Sequence, residues 1–217
     1  MGSVSGIINQ TELESLPYFN KKTAEVLIGK KGKNLDKKIS QLFNKEYLLS
    51  LKKGFYLTER YYSQQQDKRA FLEYLANVLY SPSYLSLEYV LSLNGLIPEG
   101  IYTLTSVSLK STRVFENKLG IFTYRNIKEN LFCGYNKIQK GNFSVYTATK
   151  AKALFDFLYL KRNLSKDYSY EIGEGLRMNW EEFTLTDIKE FESYVNLSKS
   201  LKIERILKEI KRIKNVN

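Results

Sequence analysis

The chain has 217 residues, long for one domain and short for two average ones, so one large domain or a small one plus a medium one is expected. Apolar residues make up 43% of it and only three are proline, which excludes wholesale disorder and long linkers. Lys and Arg number 34 against 23 Asp and Glu with no His, so the net charge of +11 points to an anionic partner. Nucleic acid is the first candidate and an anionic membrane surface the second, although a Lys- and Tyr-rich composition inherited from an AT-rich genome would give the same sum.

The N-terminal residues Met1-Gly2-Ser3-Val4-Ser5-Gly6 have Gly where a myristoylation signal needs Ser or Thr, and no apolar signal core follows. No apolar run approaches the roughly 18 residues needed to span a bilayer, so a cytoplasmic protein without a membrane partner is expected. Residues 9–19 carry Leu13, Leu16 and Phe19 at helical spacing, with Thr11 as a candidate N-cap. Asn20 opens a second short helix over 21–28, with Ala24, Leu27 and Ile28 inward, and Gly29-Lys30-Lys31-Gly32 breaks it. A third helix is expected over 34–45, carrying Leu35, Ile39, Leu42 and Phe43. The period then alternates: Leu49 and Leu51, the turn Lys52-Lys53-Gly54, then Phe55 and Leu57 predict a hairpin. Helix, helix, turn, helix and hairpin within about 50 residues is the order of a winged helix-turn-helix.

Residues 63–81 predict a connecting helix, with Phe71, Leu72, Leu75, Val78 and Leu79 at three- and four-residue steps and Ser81-Pro82-Ser83 ending it. A helix over 84–96 follows, closed by Asn94-Gly95 and Pro98. Alternation over 101–127 predicts strands, as do 131–135 and 143–147. Residues 149–160 predict an apolar helix buried on most sides, and helices over 186–194 and 200–214 finish the chain. The expected fold is α+β: a winged helix-turn-helix domain at 1–62, a connecting helix at 63–82, and a larger mixed α/β domain at 83–217.

The charge is uneven. Residues 20–60 hold 11 Lys and Arg against the four acids Glu25, Asp36, Glu46 and Glu59. With Leu35, Ile39, Leu42 and Phe43 turned inward, a 100° step puts Asn34, Lys37, Gln41 and Asn44 on the opposite face of the third helix, flanked by Lys33, Lys38 and Lys45. Ammonium groups for phosphate oxygens beside amides for base edges are what a recognition helix presents to double-stranded DNA. Lys52 and Lys53 at the hairpin tip would meet the neighbouring backbone. A second basic run, Lys202, Arg205, Lys208, Lys211, Arg212 and Lys214, has two readings of equal standing: the solvated face of a docked helix, or a further DNA contact.

The residues argue against an enzyme. Without His there is no Ser-His-Asp or Cys-His catalysis and no His-ligated metal, and no Walker or Gly-x-Gly-x-x-Gly loop occurs. The single cysteine, Cys133, rules out an intramolecular disulfide and a Cys-based zinc site, and its apolar neighbours make it a buried small hydrophobe. No cofactor or metal is expected. The enzymatic alternative is a metal-dependent nuclease using Asp156 with Glu171 and Glu174, the last two in a loop-like stretch. Another alternative is a protein-interaction module whose winged helix binds no DNA.

Three segments in order carry a family resemblance: residues 84–99, residues 120–128 leading to Phe132-Cys133-Gly134-Tyr135, and residues 148–159. Together with the N-terminal pattern, over roughly residues 9–160, the chain resembles the AbiEi family, antitoxins of type IV abortive-infection toxin–antitoxin systems. The resemblance implies a transcriptional regulator that represses its own operon by binding promoter repeats through the third helix and the Lys52-Lys53 tip. It also implies a functional partner, a nucleotidyltransferase-like toxin, without requiring a stable complex between the two. Family members typically carry Glu before the Lys-Ala-Leu of the last segment, where this chain has Ala151. The resemblance names no catalytic residue.

Overall fold

In a computed structural model, residues 10–165 and 167–216 are described, and the N-terminal hexapeptide considered above lies outside them. The fold is α+β and divides into two compact units, residues 1–71 with 115–120, and residues 72–114 with 121–217.

In the first unit, helix α1 (Gln10–Ser15) ends two residues before Pro17, and Thr11 lies inside it instead of capping it. Phe19 is not helical. It forms strand β1 (Phe19–Asn20), paired antiparallel with β3 (Phe55–Thr58). The three-residue spacing of Leu13, Leu16 and Phe19 mimics a helix, but Pro17 lacks the N–H a helix needs and pushes Leu16 toward extended backbone. Helix α2 (Lys21–Ile28) begins where expected, with the Asn20 side chain accepting from the Thr23 amide at 3.0 Å. Gly29, at φ 66°, ends it in the left-handed conformation that a side chain would oppose. Helix α3 (Gly32–Asn44) follows, then β2 (Leu48–Lys52), which pairs antiparallel with β3. The sheet order is β1-β3-β2. Leu13, Phe19, Ala24, Ile28, Leu35, Ile39, Leu42 and Leu48 form the core, edged by Leu27 and Phe43. Burial of an aliphatic side chain contributes about 1.5–3 kcal/mol, so the three from α3 fix the rotation of that helix about its axis. Helix α4 (Glu59–Ser63) is capped by Thr58 and tied to α1 by Arg60 on Glu14 at 2.9 Å.

Helix α5 (Lys68–Leu79) crosses from the first unit into the second at Leu72, so the boundary falls within the connecting helix and not on either side of it. The second unit is built on a sheet ordered β6-β7-β5-β4-β9-β8, of which only residues 115–120, the end of β6 and the turn into β7, belong to the first unit. Its members are β4 (Ser83–Leu85), β5 (Leu104–Ser108), β6 (Arg113–Asn117), β7 (Gly120–Asn126), β8 (Tyr135–Lys140) and β9 (Phe143–Ala148). The expected helix over 84–96 begins late. Tyr84 and Leu85 are extended in β4, antiparallel to β5 and parallel to β9, and only Leu87–Leu93 (α6) is helical. All three β4 residues are buried, so no alternation marks them as a strand. The expected strand over 131–135 likewise fails: Glu129–Leu131 is a 3₁₀ turn and pairing starts at Tyr135.

Cross-strand partners share a face of the sheet. Tyr84, Val107 and Arg125 lie in one register row, and Leu85, Ser106 and Tyr124 in the next. The first row meets α7 (Lys150–Leu160): Tyr84 donates to Asp156, and Arg125 to the Leu160 carbonyl. The second meets α5, where the Tyr124 hydroxyl donates to the Ala76 carbonyl at 2.6 Å. The sheet thus lies between two helical layers. Behind α7 pack α9 (Leu185–Ser198) and α10 (Leu201–Ile213). Residues 168–175 are not the loop expected around Glu171 and Glu174: α8 (Tyr168–Tyr170) runs into a π-helical turn, Glu171–Gly175.

Candidate nucleic-acid interface

The three buried aliphatic residues of α3 turn its opposite side to solvent. Lys33, Asn34, Lys37, Gln41, Asn44 and Lys45 are exposed and Lys38 is half-buried. Among the described residues no hydrogen bond or ion pair engages the side chain of any of these seven. The acids nearest in sequence are Asp36, Glu46 and Glu25, and each is paired elsewhere, Glu46 with Lys118 at 3.7 Å. Asp36 pairs with Lys21 at 2.5 Å, and Glu25 with Lys31 at 3.6 Å. The face therefore presents ammonium groups and amides together, with no carboxylate of its own left to compete for them.

Dimensions suit a groove. Thirteen residues make a rod about 20 Å long and, with side chains, about 10–12 Å across. The major groove of B-DNA is about 12 Å wide. Two alterations to the expected residue set follow from the geometry. Lys52 is half-buried, its ammonium 4.3 Å from the centre of the Phe55 ring and 5.6 Å from that of Phe115, so it is held by aromatic faces. Lys53, at the turn itself, is exposed. Lys30 was missed: it is exposed in the turn leading into α3, and the run Gly29-Lys30-Lys31-Gly32-Lys33 was the available signal.

The second basic run resolves differently. Lys202 donates to the carbonyls of Tyr159 and Lys161, and burial lowers its ammonium pKa. Lys211 pairs with Glu192 at 3.1 Å, Arg212 with Glu209 at 2.9 Å and with the Ser169 hydroxyl, and Lys214 donates to the Trp180 carbonyl. Ile203, Ile206, Leu207 and Ile210 are buried beneath them. Four of the six cations thus hold the helix on its own unit, while Arg205 and Lys208 are exposed and make no hydrogen bond or ion pair among the described residues.

The acids considered for metal chemistry do not assemble a site. Asp156 has no solvent exposure and both its oxygens are taken: Oδ1 by the Lys152 ammonium, Oδ2 by the hydroxyls of Tyr84 at 3.0 Å and Ser86 at 2.7 Å. Burial pushes its carboxyl pKa up, against the pull of Lys152 and the two hydroxyls. Lys152 is equally buried, its ammonium between the rings of Tyr84, Phe155 and Tyr194. Tyr194 in turn shares Glu190 with Thr149, each hydroxyl donating at 2.6 Å. Among the described residues no three of Cys, Asp and Glu come together as a metal site would require. Cys133 is free and half-buried, less enclosed than its apolar neighbours suggest, and burial raises its thiol pKa. No helix among the described residues is long and apolar enough to cross a membrane.

No protein-family model matches the chain, and no curated protein does.

Proposed function

We propose that this chain is a DNA-binding transcriptional regulator that inserts α3 into the major groove, with Lys53 of the hairpin beside the adjacent backbone. The observation that carries the proposal is the state of α3: six polar or cationic side chains on the helix, and Lys45 just past its end, make no hydrogen bond or ion pair among the described residues and lie away from a buried aliphatic stripe. The order helix, strand, helix, helix, hairpin, with the first strand completing the sheet on the hairpin, supports assigning the first unit to the winged helix-turn-helix class. The resemblance to AbiEi antitoxins extends the proposal to the particular role: an autorepressor bound to repeats in its own promoter, countering a nucleotidyltransferase-like toxin.

Fluorescence anisotropy against duplexes from the chain's own upstream region tests the interface. If about four to six cations neutralise phosphates, the log–log dependence of affinity on salt has a slope of about −4 to −5. Changing both Lys37 and Gln41 to Ala weakens specific binding by about tenfold or more while leaving the melting temperature within about a degree, since neither side chain makes a hydrogen bond or ion pair among the described residues. Equal binding by wild type and the double variant removes α3 from the interface. Salt-independent binding that is no tighter to the upstream region than to random duplex would instead mark a protein-interaction module.

A further inference from the structure

The second unit holds a concave pocket of about 340 Å³, lined by Leu87, Glu88, Arg125, Phe157, Leu160 and the segment 161–163. Three cations, Arg125, Lys161 and Arg162, reach it against the single carboxylate of Glu88, and no ion pair joins that carboxylate to any of them. Cations at the end of α7 could simply answer the carbonyls left open there. Arg125 does so in part, its guanidinium donating to the Leu160 carbonyl at 3.1 Å, but Lys202 serves Tyr159 and Lys161, so Arg162 has no such role. The Leu160 contact also fixes the orientation of the Arg125 fork. Arg162 and Asn163 make no side-chain hydrogen bond or ion pair among the described residues. The Lys161 ammonium lies 5.3 Å from the centre of the Phe157 ring.

A second observation falls on the same wall. Leu87 lies in the left-handed region at φ 61°, nearly buried, in the turn from β4 to α6. Thr105 holds it there: its carbonyl accepts from the Ser86 amide, its hydroxyl donates to the Ser86 carbonyl at 2.6 Å, and that hydroxyl accepts from the Tyr89 amide. Backbone strain maintained by dedicated contacts is characteristic of ligand clamps.

We propose that this pocket binds a small phosphorylated ligand of the nucleoside monophosphate class. Two guanidiniums and an ammonium match the charge of a phosphate monoester, and a guanidinium fork meets its oxygens two at a time. Glu88 supplies the acceptor that ribose hydroxyls need, and Leu87, Phe157 and Leu160 give an apolar surface for a base. The proposal goes beyond DNA binding and does not depend on it.

Isothermal titration of the full chain with adenosine 5′-monophosphate, inorganic phosphate and adenosine tests it. The nucleotide binds, phosphate binds more weakly, and adenosine shows no heat. R162A, which removes no hydrogen bond or ion pair among the described residues, weakens nucleotide binding by about tenfold or more at an unchanged melting temperature. The Lys37→Ala, Gln41→Ala double variant binds the nucleotide like wild type, which separates this pocket from α3. No heat with the nucleotide up to about 10 mM, adenosine binding as well as the nucleotide, or R162A binding like wild type would each overturn the proposal.

Discussion

Asp156→Asn tests the buried charge cluster of α7. The substitution keeps the shape and leaves a carbonyl oxygen to accept from Ser86 or Tyr84, but it strips the Lys152 ammonium of its counter-charge in a place with no solvent access. Breaking a buried pair by removing one member costs about 3–5 kcal/mol. Here the Tyr84, Phe155 and Tyr194 rings, at 5.1–5.6 Å from the ammonium, still face the cation and offset part of that cost. The expected loss is therefore at the lower end, about 3 kcal/mol, or a fall in melting temperature of about 6–12 °C. Adding Lys152→Met removes the stranded charge, so the double variant should recover about half or more of the loss. The assay is urea unfolding of the four members of the cycle. Two results refute the electrostatic account: Asp156→Asn within about 1 kcal/mol of wild type, or strictly additive effects of the two substitutions.

Two further outcomes follow from other parts of the second unit. Gly134→Ala places a Cβ 2.2 Å from the Tyr194 hydroxyl at a backbone φ of +70°, so it should displace Tyr194 from Glu190 and cost more than about 2 kcal/mol by thermal or urea unfolding. Burial alone would raise the Asp187 carboxyl, but hydrogen bonds from Lys150 and Thr184 outweigh it and hold the pKa below its ordinary 3.8. The stability this contributes is complete above that ordinary value and disappears as pH falls through the depressed native one. The melting-temperature gap between wild type and Asp187→Asn should therefore narrow on acidification, and a gap that widens would contradict the ion pair.

Local signals made most of the first unit legible. Asn20 as a cap, Gly29 as a stop, the 35-39-42 stripe and the Lys53-Gly54 turn are each decided within a few residues, and the structure forms them where the sequence marks them. Phe19 is different because its partner, Tyr56, lies 37 positions away and only that pairing makes it a strand. The same holds for β4: Tyr84 and Leu85 read as helical until β5 and β9 flank them, and a strand buried on both faces shows no alternation. Non-local pairing also decides what Lys152 and Asp156 do. The sequence marks the helix as buried on most sides, but only the arrival of Tyr84 and Ser86 from one segment and Tyr194 from another shows what seals the i,i+4 pair in.

The net charge of +11 was the first clue to an anionic partner, yet by itself it does not distinguish α3 from α10. Both helices carry dense basic runs over an aliphatic stripe. What separates them is whether the cations already have acceptors. On α10, Lys202, Lys211, Arg212 and Lys214 donate to carbonyls, carboxylates or a hydroxyl of their own unit, and each would have to break that contact before meeting a phosphate, which leaves Arg205 and Lys208 as the two exposed cations without one among the described residues. Among the described residues, Lys33, Lys37 and Lys38 on α3 and Lys45 just past its end have no such contact to break, so in the proposed role their transfer from water to phosphate oxygens would release counterions without an internal loss. The difference is invisible in a count of charges and follows only from where the second unit's carbonyls and carboxylates come to rest. Under the proposed DNA-binding role it favours α3 over the more conspicuous basic terminus as the surface on which affinity depends.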